Sequence, residues 1–175
     1  MGMLYEYDGK RPIVGRDSYV SETAHVIGSV TIGDNCYIGH GAILRGDYGS
    51  IVIGNGTAVE EGVVVHAPPD KLCLIGERVT MGHGAVIHAA KVGDFAVIGM
   101  GAVLSIESEV GRYSIVAEGA VVKMRQVIPE EVVAGGNPAR VIRKTAQKDI
   151  EFWTAGKQLY VDLAKKYLEK GMKPL

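Results

Sequence analysis

Aliphatic residues recur at every sixth position over more than a hundred residues of this 175-residue chain, and no other feature constrains its fold as much. Neither an amphipathic helix nor a hairpin sheet has a period of six. The period is typical of a parallel β-solenoid, in which each six-residue unit forms one short side and directs its aliphatic residue, here called a rung, inward. The nineteen rungs form four runs: Val14, Val20, Val26, Ile32, Ile38 and Leu44; Ile53, Val59 and Val65; Ile75, Met81 and Ile87; and Val92, Ile98, Leu104, Val110, Val116, Val122 and Ile128.

The phase between these runs shifts at three places, which predicts small insertions or deletions at corners of the coil. Three residues are inserted near Tyr48–Ser50, four are inserted near Ala67–Asp70, and one is deleted near Lys91. The chain contains 24 glycines, and many of them directly follow a rung, where a side chain would collide at a corner. With three sides to a turn, the rungs predict about six coils over residues 12–133.

A helical pattern follows the repeat. Between residues 145 and 171, apolar residues recur close to the 3.6-residue period of an α-helix, while Asp149, Lys157 and Lys165 fall outside this apolar stripe. A terminal helix laid along a solenoid covers an open edge and an apolar flank. We therefore predict a single domain, residues 1–175, that is an all-β solenoid with a C-terminal helix packed along it. The apolar stripe of this helix consists of Ile150, Trp153, Tyr160, Leu163 and Tyr167.

Composition and charge argue against several classes of partner. The 19 basic and 20 acidic residues give a net charge of −1, which provides no electrostatic surface for nucleic acid or for an anionic membrane. No apolar run is long enough to span a bilayer, and the first residues do not form a hydrophobic signal segment. Cys36 and Cys73 lack a metal-type spacing and indicate a reducing compartment. The expectation is a cytosolic protein with a small-molecule substrate.

Three histidines occur among small and aliphatic residues at related positions of the repeat. Rungs three steps apart lie on the same side of neighbouring coils, so the residues after Val65 and Ile87 are predicted to stack about 4.8 Å apart. These residues are His66 and His88, and both can reach one metal ion. His83 lies on the preceding side of the coil, about a third of a turn away. Because a catalytic Zn²⁺ commonly has three protein ligands, we expect the third from a second copy of the chain around a three-fold axis.

These residues resemble the γ-class carbonic anhydrase family of left-handed β-helix proteins. The resemblance implies left-handed winding and a homotrimer with metal sites between subunits. It also implies reversible hydration of CO₂ to bicarbonate by a metal-bound hydroxide, with Zn²⁺ or another divalent metal such as Fe²⁺ or Co²⁺ as the cofactor. The metal ligands that it implies are His66, His83 and His88. The matching segments are "LRGD" at Leu44–Asp47, "VVVH" ending at His66, "MGHGAVIH" at Met81–His88 and "GNPARVIRK" at Gly136–Lys144.

The resemblance also implies roles for residues around the histidines. Arg45 and Asp47 alternate along one strand and point the same way, and the family uses this pair in an ion-pair network between subunits. Tyr160 is similar to a helix tyrosine that leans toward the metal in some members, although by pattern it is equally a core residue. Where the family commonly has Asn-x-Gln-Asp, this chain has Ala58–Glu61, so that Glu60 replaces an amide by an acceptor that can serve as a base. The candidate catalytic residues are Arg45, Asp47, Glu60, Glu61 and Tyr160.

Three functions remain open at the level of the sequence. The first is CO₂ hydration, for which the short loop "APPDK" after His66 lacks the acidic proton-shuttle stretch of the active prototype. The second is a zinc-dependent hydrolase of the same fold, such as an acyl-CoA thioesterase, because the same hydroxide would attack a thioester carbonyl. The third is a non-catalytic hexapeptide-repeat trimer, in which the three histidines would have no use, or an acyltransferase-like one, for which no catalytic histidine with an acyl-carrier cleft is evident.

Overall fold

The computed structural model describes residues 3–88 and 90–175, in which twenty strands wind into a parallel solenoid that a single α-helix follows. Most strands contain only two to four residues, as six-residue units require. The helix, α1, covers Gln147–Lys170. The strands, β1 to β20 in chain order, are Met3–Tyr5, Ile13–Val14, Tyr19–Val20, His25–Ile32, Tyr37–Ile38, Ile43–Ile53, Ala58–Val59, Val64–His66, Leu72–Ile75, Thr80–Met81, Val86–His88, Lys91–Val92, Val97–Ile98, Val103–Leu104, Glu109–Val110, Ile115–Val116, Val121–Val122, Val127–Ile128, Val132–Gly135 and Arg140–Lys144.

Pairing between strands one coil apart divides the solenoid into three faces. The histidine face contains β1, the first parts of β4 and β6, and then β8, β11, β14 and β17. The open face contains β2, the second parts of β4 and β6, and then β9, β12, β15 and β18. The helix face contains β3, β5, β7, β10, β13, β16 and β19, to which β20 adds in the antiparallel direction. The predicted fold, a left-handed parallel β-helix of hexapeptide repeats with a C-terminal helix, is confirmed.

The interior is a stack of aliphatic side chains, and central rungs such as Leu44 and Ile87 have no exposed surface. In the described residues each face contains seven successive strands, one from each coil. The predicted number of about six coils is therefore too low. The two additional rungs are Leu4 and Ala134. Leu4 pairs with Val26 although it lies outside the six-residue phase, whereas Ala134 keeps the phase but is too small to be recognised as an aliphatic rung.

Helix α1 packs on the helix face through aromatic and small side chains. The ring of Tyr167 stacks on that of Tyr19, with centroids 4.5 Å apart. Lys157 also lies on this side, with only 2% of its surface exposed, so its predicted place outside the buried stripe is wrong. It lies four residues after Trp153 and three before Tyr160, and this helical spacing decides which side it faces. Among the residues described, no helix is long and apolar enough to cross a membrane.

The start of α1 depends on one carboxylate, and this predicts an acid-sensitive helix end. The carboxylate of Asp149 accepts a hydrogen bond from the backbone N–H of Ala146 at 2.7 Å. It also forms an ion pair with the guanidinium of Arg143, with an N–O distance of 2.6 Å. Arg143, followed by the Ala146 N–H, lowers the pKa of Asp149 to about 2. An unfolded aspartate titrates near pH 3.9, so the stability that Asp149 contributes is complete above about pH 4 and disappears as the pH falls toward 2.

Asp149→Asn is therefore expected to lower the unfolding temperature by a few degrees at pH 6 and to have little effect near pH 2. The reason is that near pH 2 the folded wild-type carboxyl is about half protonated, so most of the stability contributed by its charge is already lost. Thermal unfolding followed by circular dichroism at both pH values measures this. Asp162→Asn, an exposed change on the same helix, is the control. An equal loss of stability at both pH values would contradict the role of the charge.

Candidate functional site

Two histidines stack on the outer surface of the histidine face. His66 ends β8 and His88 ends β11, and the two residues are direct register partners on neighbouring coils. Their ring centroids are 5.0 Å apart and the rings are inclined by 19°. Because the rungs Val65 and Ile87 point inward, the residue after each rung must point outward. The alternation of the strands thus brings both imidazoles to one place on the surface.

One imidazole nitrogen of this pair is buried and makes no hydrogen bond to the described residues. It is Nε2 of His66, which lies 3.7 Å from the nearer carboxylate oxygen of Asp47, beyond hydrogen-bond distance. Burial, together with the positive charges of Arg45 and His88, lowers the pKa of His66. A neutral imidazole with an unused buried nitrogen is the form that binds a divalent metal ion. These two histidines therefore fit two of the three ligand positions that the resemblance implies.

An ion pair lies directly below the stacked rings. Arg45, in β6, is the register partner of His66, and its guanidinium donates to a carboxylate oxygen of Asp47 at 2.6 Å. The backbone N–H of Tyr48 donates to the other oxygen at 2.9 Å. Burial opposes ionisation of Asp47, but these two donors outweigh it and lower its pKa. The carboxylate is thus held ionised beside His66.

His83 lies elsewhere, at the corner where the helix face meets the histidine face. Its Nδ1 is 2.8 Å from a carboxylate oxygen of Glu61, and its Nε2 is 3.1 Å from Glu60. The phenol of Tyr37 donates to the other oxygen of Glu61 at 2.7 Å. Burial opposes ionisation of Glu61, but this hydrogen bond, followed by the charges of His83 and His40, lowers its pKa. The imidazole of His83 is half-exposed, and its orientation is set by two carboxylates.

Glu60 differs from Glu61 because it is buried. Only 6% of its surface is exposed, and the same oxygen that approaches the His83 ring accepts the backbone N–H of His83 at 3.1 Å. Tyr160 of α1 interacts with Glu60 through its phenol. Burial, followed by the hydrogen bond to Glu60, raises the pKa of Tyr160 well above its usual range. Tyr160 is therefore a protonated donor that holds the carboxylate of Glu60.

The structure places the predicted residues in two groups. Arg45, Asp47, His66 and His88 form one group on the histidine face, whereas Glu60, Glu61, His83 and Tyr160 form the other group at the corner. Over residues 3–88 and 90–175, no three His, Cys, Asp or Glu side chains are grouped so that they could hold one metal ion.

The sequence did not predict the positions of two further side chains, one of which contacts the corner group. Tyr37 precedes a rung and must therefore point outward, so its position was available from the repeat, but its contact with Glu61 was not. Lys157 was predicted to lie outside the apolar stripe of the helix, although its helical angle places it on the buried side.

Comparison with family models gives two matches to hexapeptide-repeat families. The first model is described as bacterial transferase hexapeptide (six repeats) and matches residues 11–46. The second is described as hexapeptide repeat of succinyl-transferase and matches residues 29–67 and 74–105. Both matches lie within the repeat and agree with the observed coils.

Similar proteins of known description span nearly the whole chain. The chain is 38% identical over 172 residues to gamma carbonic anhydrase 1, mitochondrial, of Arabidopsis thaliana, a match that covers 95% of this chain but 62% of that protein. It spans 61% of the length of the second Arabidopsis relative, gamma carbonic anhydrase 2, mitochondrial. It is also 34% identical over 160 residues to carnitine operon protein CaiE of Salmonella agona, covering 91% of this chain and 81% of that protein.

Two solved structures share the whole architecture. A hexapeptide transferase family protein from Anaplasma phagocytophilum has a TM-score of 0.89 and 30% identity, covering 94% of this chain and 98% of that chain. A Bacillus cereus protein described as a candidate acetyltransferase has a TM-score of 0.93 and 27% identity, covering 94% and 96%. These similarities extend over both the solenoid and the helix, so they include the surroundings of the two residue groups.

Proposed function

Because this chain belongs to the γ carbonic anhydrase-like family of hexapeptide-repeat proteins, we propose that it is a metal-dependent lyase that reversibly hydrates CO₂ to bicarbonate. The observation that carries the proposal is the stacked pair of His66 and His88, in which a buried imidazole nitrogen makes no hydrogen bond to the described residues. The proposed metal is Zn²⁺, with Fe²⁺ or Co²⁺ as alternatives. The cytosolic location and the lack of nucleic-acid and membrane partners remain predictions, since the two Arabidopsis relatives are named as mitochondrial proteins.

The third ligand, His83, is proposed to come from a neighbouring copy in a homotrimer. An outward row of aliphatic side chains runs beside the stacked histidines on the same face, and it supports a contact between copies here. Its members are direct register partners on successive coils, and Ile43 and Val86 are more than a third exposed. A three-fold axis closes such a head-to-tail contact and creates three equivalent sites. The row consists of Ile43, Val64, Val86, Val103 and Val121.

The chain's own residues supply orientation and proton acceptance at this site. Asp47 and Arg45 form a fixed ion pair next to His66, which keeps that edge of the site polar and ordered. His66, His88 and a neighbouring copy's His83 would hold a divalent cation, which would supply Lewis acidity to the substrate and to water. Glu60 and Glu61 are the carboxylates within reach of His83, and CO₂ hydration requires such acceptors for the proton that it releases.

A second candidate function is hydrolysis of an acyl-CoA thioester at the same site. It is favoured by the high structural similarity to a protein described as a candidate acetyltransferase. The same histidines would hold the metal for this reaction, because the Lewis acidity that it would supply serves a thioester carbonyl as well as CO₂. A non-catalytic trimer is the third outcome, and it would show metal binding without either activity.

Removal of one stacked ligand tests the metal site directly. His88→Ala is expected to lower the Zn²⁺ content of the purified protein to background, because the remaining ligands no longer complete the site. His25→Ala is the matched control, since His25 lies on the same face but stacks on Tyr5 at 5.8 Å instead. Metal analysis by mass spectrometry measures both variants. Full metal occupancy in His88→Ala would overturn the assignment.

Activity assays on the metal-loaded protein then decide between the substrates. Stopped-flow CO₂ hydration with a pH indicator is expected to show turnover that His88→Ala lacks and His25→Ala retains. Acetyl-CoA hydrolysis, measured by release of the free thiol, is expected to proceed no faster than in buffer without protein. Thioester turnover without CO₂ turnover would replace the first proposal by the second.

A further inference from the structure

Tyr37 is a buried tyrosine whose hydroxyl reaches the edge of the candidate site. Only 2% of its surface is exposed, and its ring packs against three other tyrosine rings. The centroids of Tyr19, Tyr160 and Tyr167 lie 5.7, 5.3 and 6.2 Å from that of Tyr37. A side chain packed on several sides keeps one rotamer. The hydroxyl of Tyr37 is therefore a donor with a fixed position.

This hydroxyl begins a chain of two short contacts that ends on the ring of His83. It donates to Oε1 of Glu61 at 2.7 Å, while Oε2 of the same carboxylate lies 2.8 Å from Nδ1 of His83. The side chain of Glu61 is 36% exposed, and rotation about the last bond of a glutamate is only weakly restricted. Packing alone therefore does not orient the carboxylate. The donor on Oε1 decides where Oε2 points.

The chain segment that carries the donor also leaves room for the carboxylate. Gly39 follows the rung Ile38, as Tyr37 precedes it. A Cβ atom at Gly39 would lie 2.8 Å from Oε1 and 2.9 Å from the backbone nitrogen of Glu61. Residues 37–39 thus supply both the hydrogen bond to Oε1 and the space that this oxygen occupies.

Tyr19 shares the environment of Tyr37 but not its hydrogen bond. The two tyrosines are direct register partners on neighbouring coils, and both are buried beneath α1. The hydroxyl of Tyr19 makes no hydrogen bond to the described residues. A tyrosine can therefore pack beneath α1 without a hydroxyl partner, so the bond from Tyr37 to Glu61 has a reason other than packing.

We propose that Tyr37 is a positioning residue for His83 and acts through Glu61. A histidine that binds a metal ion is held in orientation by a partner, often a carboxylate, on its other ring nitrogen, and a change in this outer layer weakens metal binding. In this chain Glu61 is that carboxylate, and Tyr37 holds it. The consequence for metal binding rests on the proposed function, whereas the orientation of the ring is a property of the folded chain with or without a metal ion.

Nuclear magnetic resonance of the metal-free, full-length protein tests the orientation of the ring. Tyr37→Phe removes the hydroxyl and keeps the packed ring, and Tyr19→Phe is the matched control. The ring signals of His83 are recorded after ¹³C labelling of histidine and identified by their loss in His83→Ala. Tyr37→Phe is expected to move them toward the signals of a freely rotating imidazole, while Tyr19→Phe leaves them in place. Unchanged signals in Tyr37→Phe, or equal shifts in both variants, would overturn the inference.

Zn²⁺ affinity, measured by competition with a chromogenic chelator, tests whether Tyr37 acts through Glu61. Tyr37→Phe is expected to weaken Zn²⁺ binding by about tenfold, and Tyr19→Phe to bind as the wild type does. In a Glu61→Ala background, Tyr37→Phe is expected to cause no further loss, because the group through which the phenol acts is absent. An equal loss in both backgrounds would refute the inference. If the wild type itself binds no Zn²⁺, the proposed function fails, while the resonance signals still decide whether Tyr37 positions His83.

Discussion

A mixture of two metal-free variants is expected to regain about a quarter of the wild-type metal sites if each site is shared between subunits. One variant is His83→Ala, and the other carries both His66→Ala and His88→Ala. Each variant alone lacks part of every site. In a randomly mixed trimer, a site is complete only where an intact stacked pair faces an intact His83, which occurs at about one interface in four.

The mixing experiment distinguishes a shared site from a site within one chain. The two variants are unfolded, combined in equal amounts and refolded, and the metal content per trimer is then determined by mass spectrometry. Each variant refolded alone provides the baseline, and refolded wild type provides the full value. Mixed trimers that stay free of metal would refute sharing, as would a His83→Ala trimer that retains full occupancy.

Gly99→Ala is expected to lower the free energy of unfolding by about 3 kcal/mol. This would make it one of the most destabilising glycine-to-alanine changes in the chain. A Cβ atom at Gly99 would lie 2.5 Å from the backbone nitrogen of Glu118, on the next coil. Neither backbone can move without breaking the ladder hydrogen bond from Gly99 N to Val116 O, which measures 2.8 Å. The two coils must therefore separate locally.

Gly101, two residues later in the same corner, provides a matched control. It has a φ of +66°, and a Cβ atom there would meet nothing within 4 Å. Gly101→Ala is expected to cost only about 1 to 2 kcal/mol, the strain of a left-handed alanine. Thermal unfolding is expected to show losses of about 10 °C for Gly99→Ala and about 4 °C for Gly101→Ala. Equal losses would mean that backbone strain, rather than contact between coils, determines the need for glycine.

Much of the fold could be predicted from the sequence because every coil repeats the same requirements. Each rung must be aliphatic to fill the interior, and the residue after many rungs must be glycine to let coils approach. Nineteen rungs were identified in this way, and the fold class was confirmed. Leu4 and Ala134 were missed, since one lies out of phase and the other has a small side chain.

The candidate site could be predicted only in part. The stacking of His66 on His88 follows from the repeat, because residues after equivalent rungs point to the same side. The contacts of the corner group depend on rotamers and on the rotation of α1 about its axis. Neither quantity is encoded in a six-residue period, so the contact between Tyr37 and Glu61 was not predicted.

The sequence by itself determined the solenoid, its inward stack and the alignment of His66 with His88, because these features depend only on spacing along a regular repeat. The tertiary structure alone decided that Lys157 is buried against the helix face. That arrangement joins segments 77 residues apart, as shown by the hydrogen bond from Lys157 to Thr80. The docking of α1 on the helix face sets such contacts, and docking is the outcome of many packing interactions that no local pattern contains.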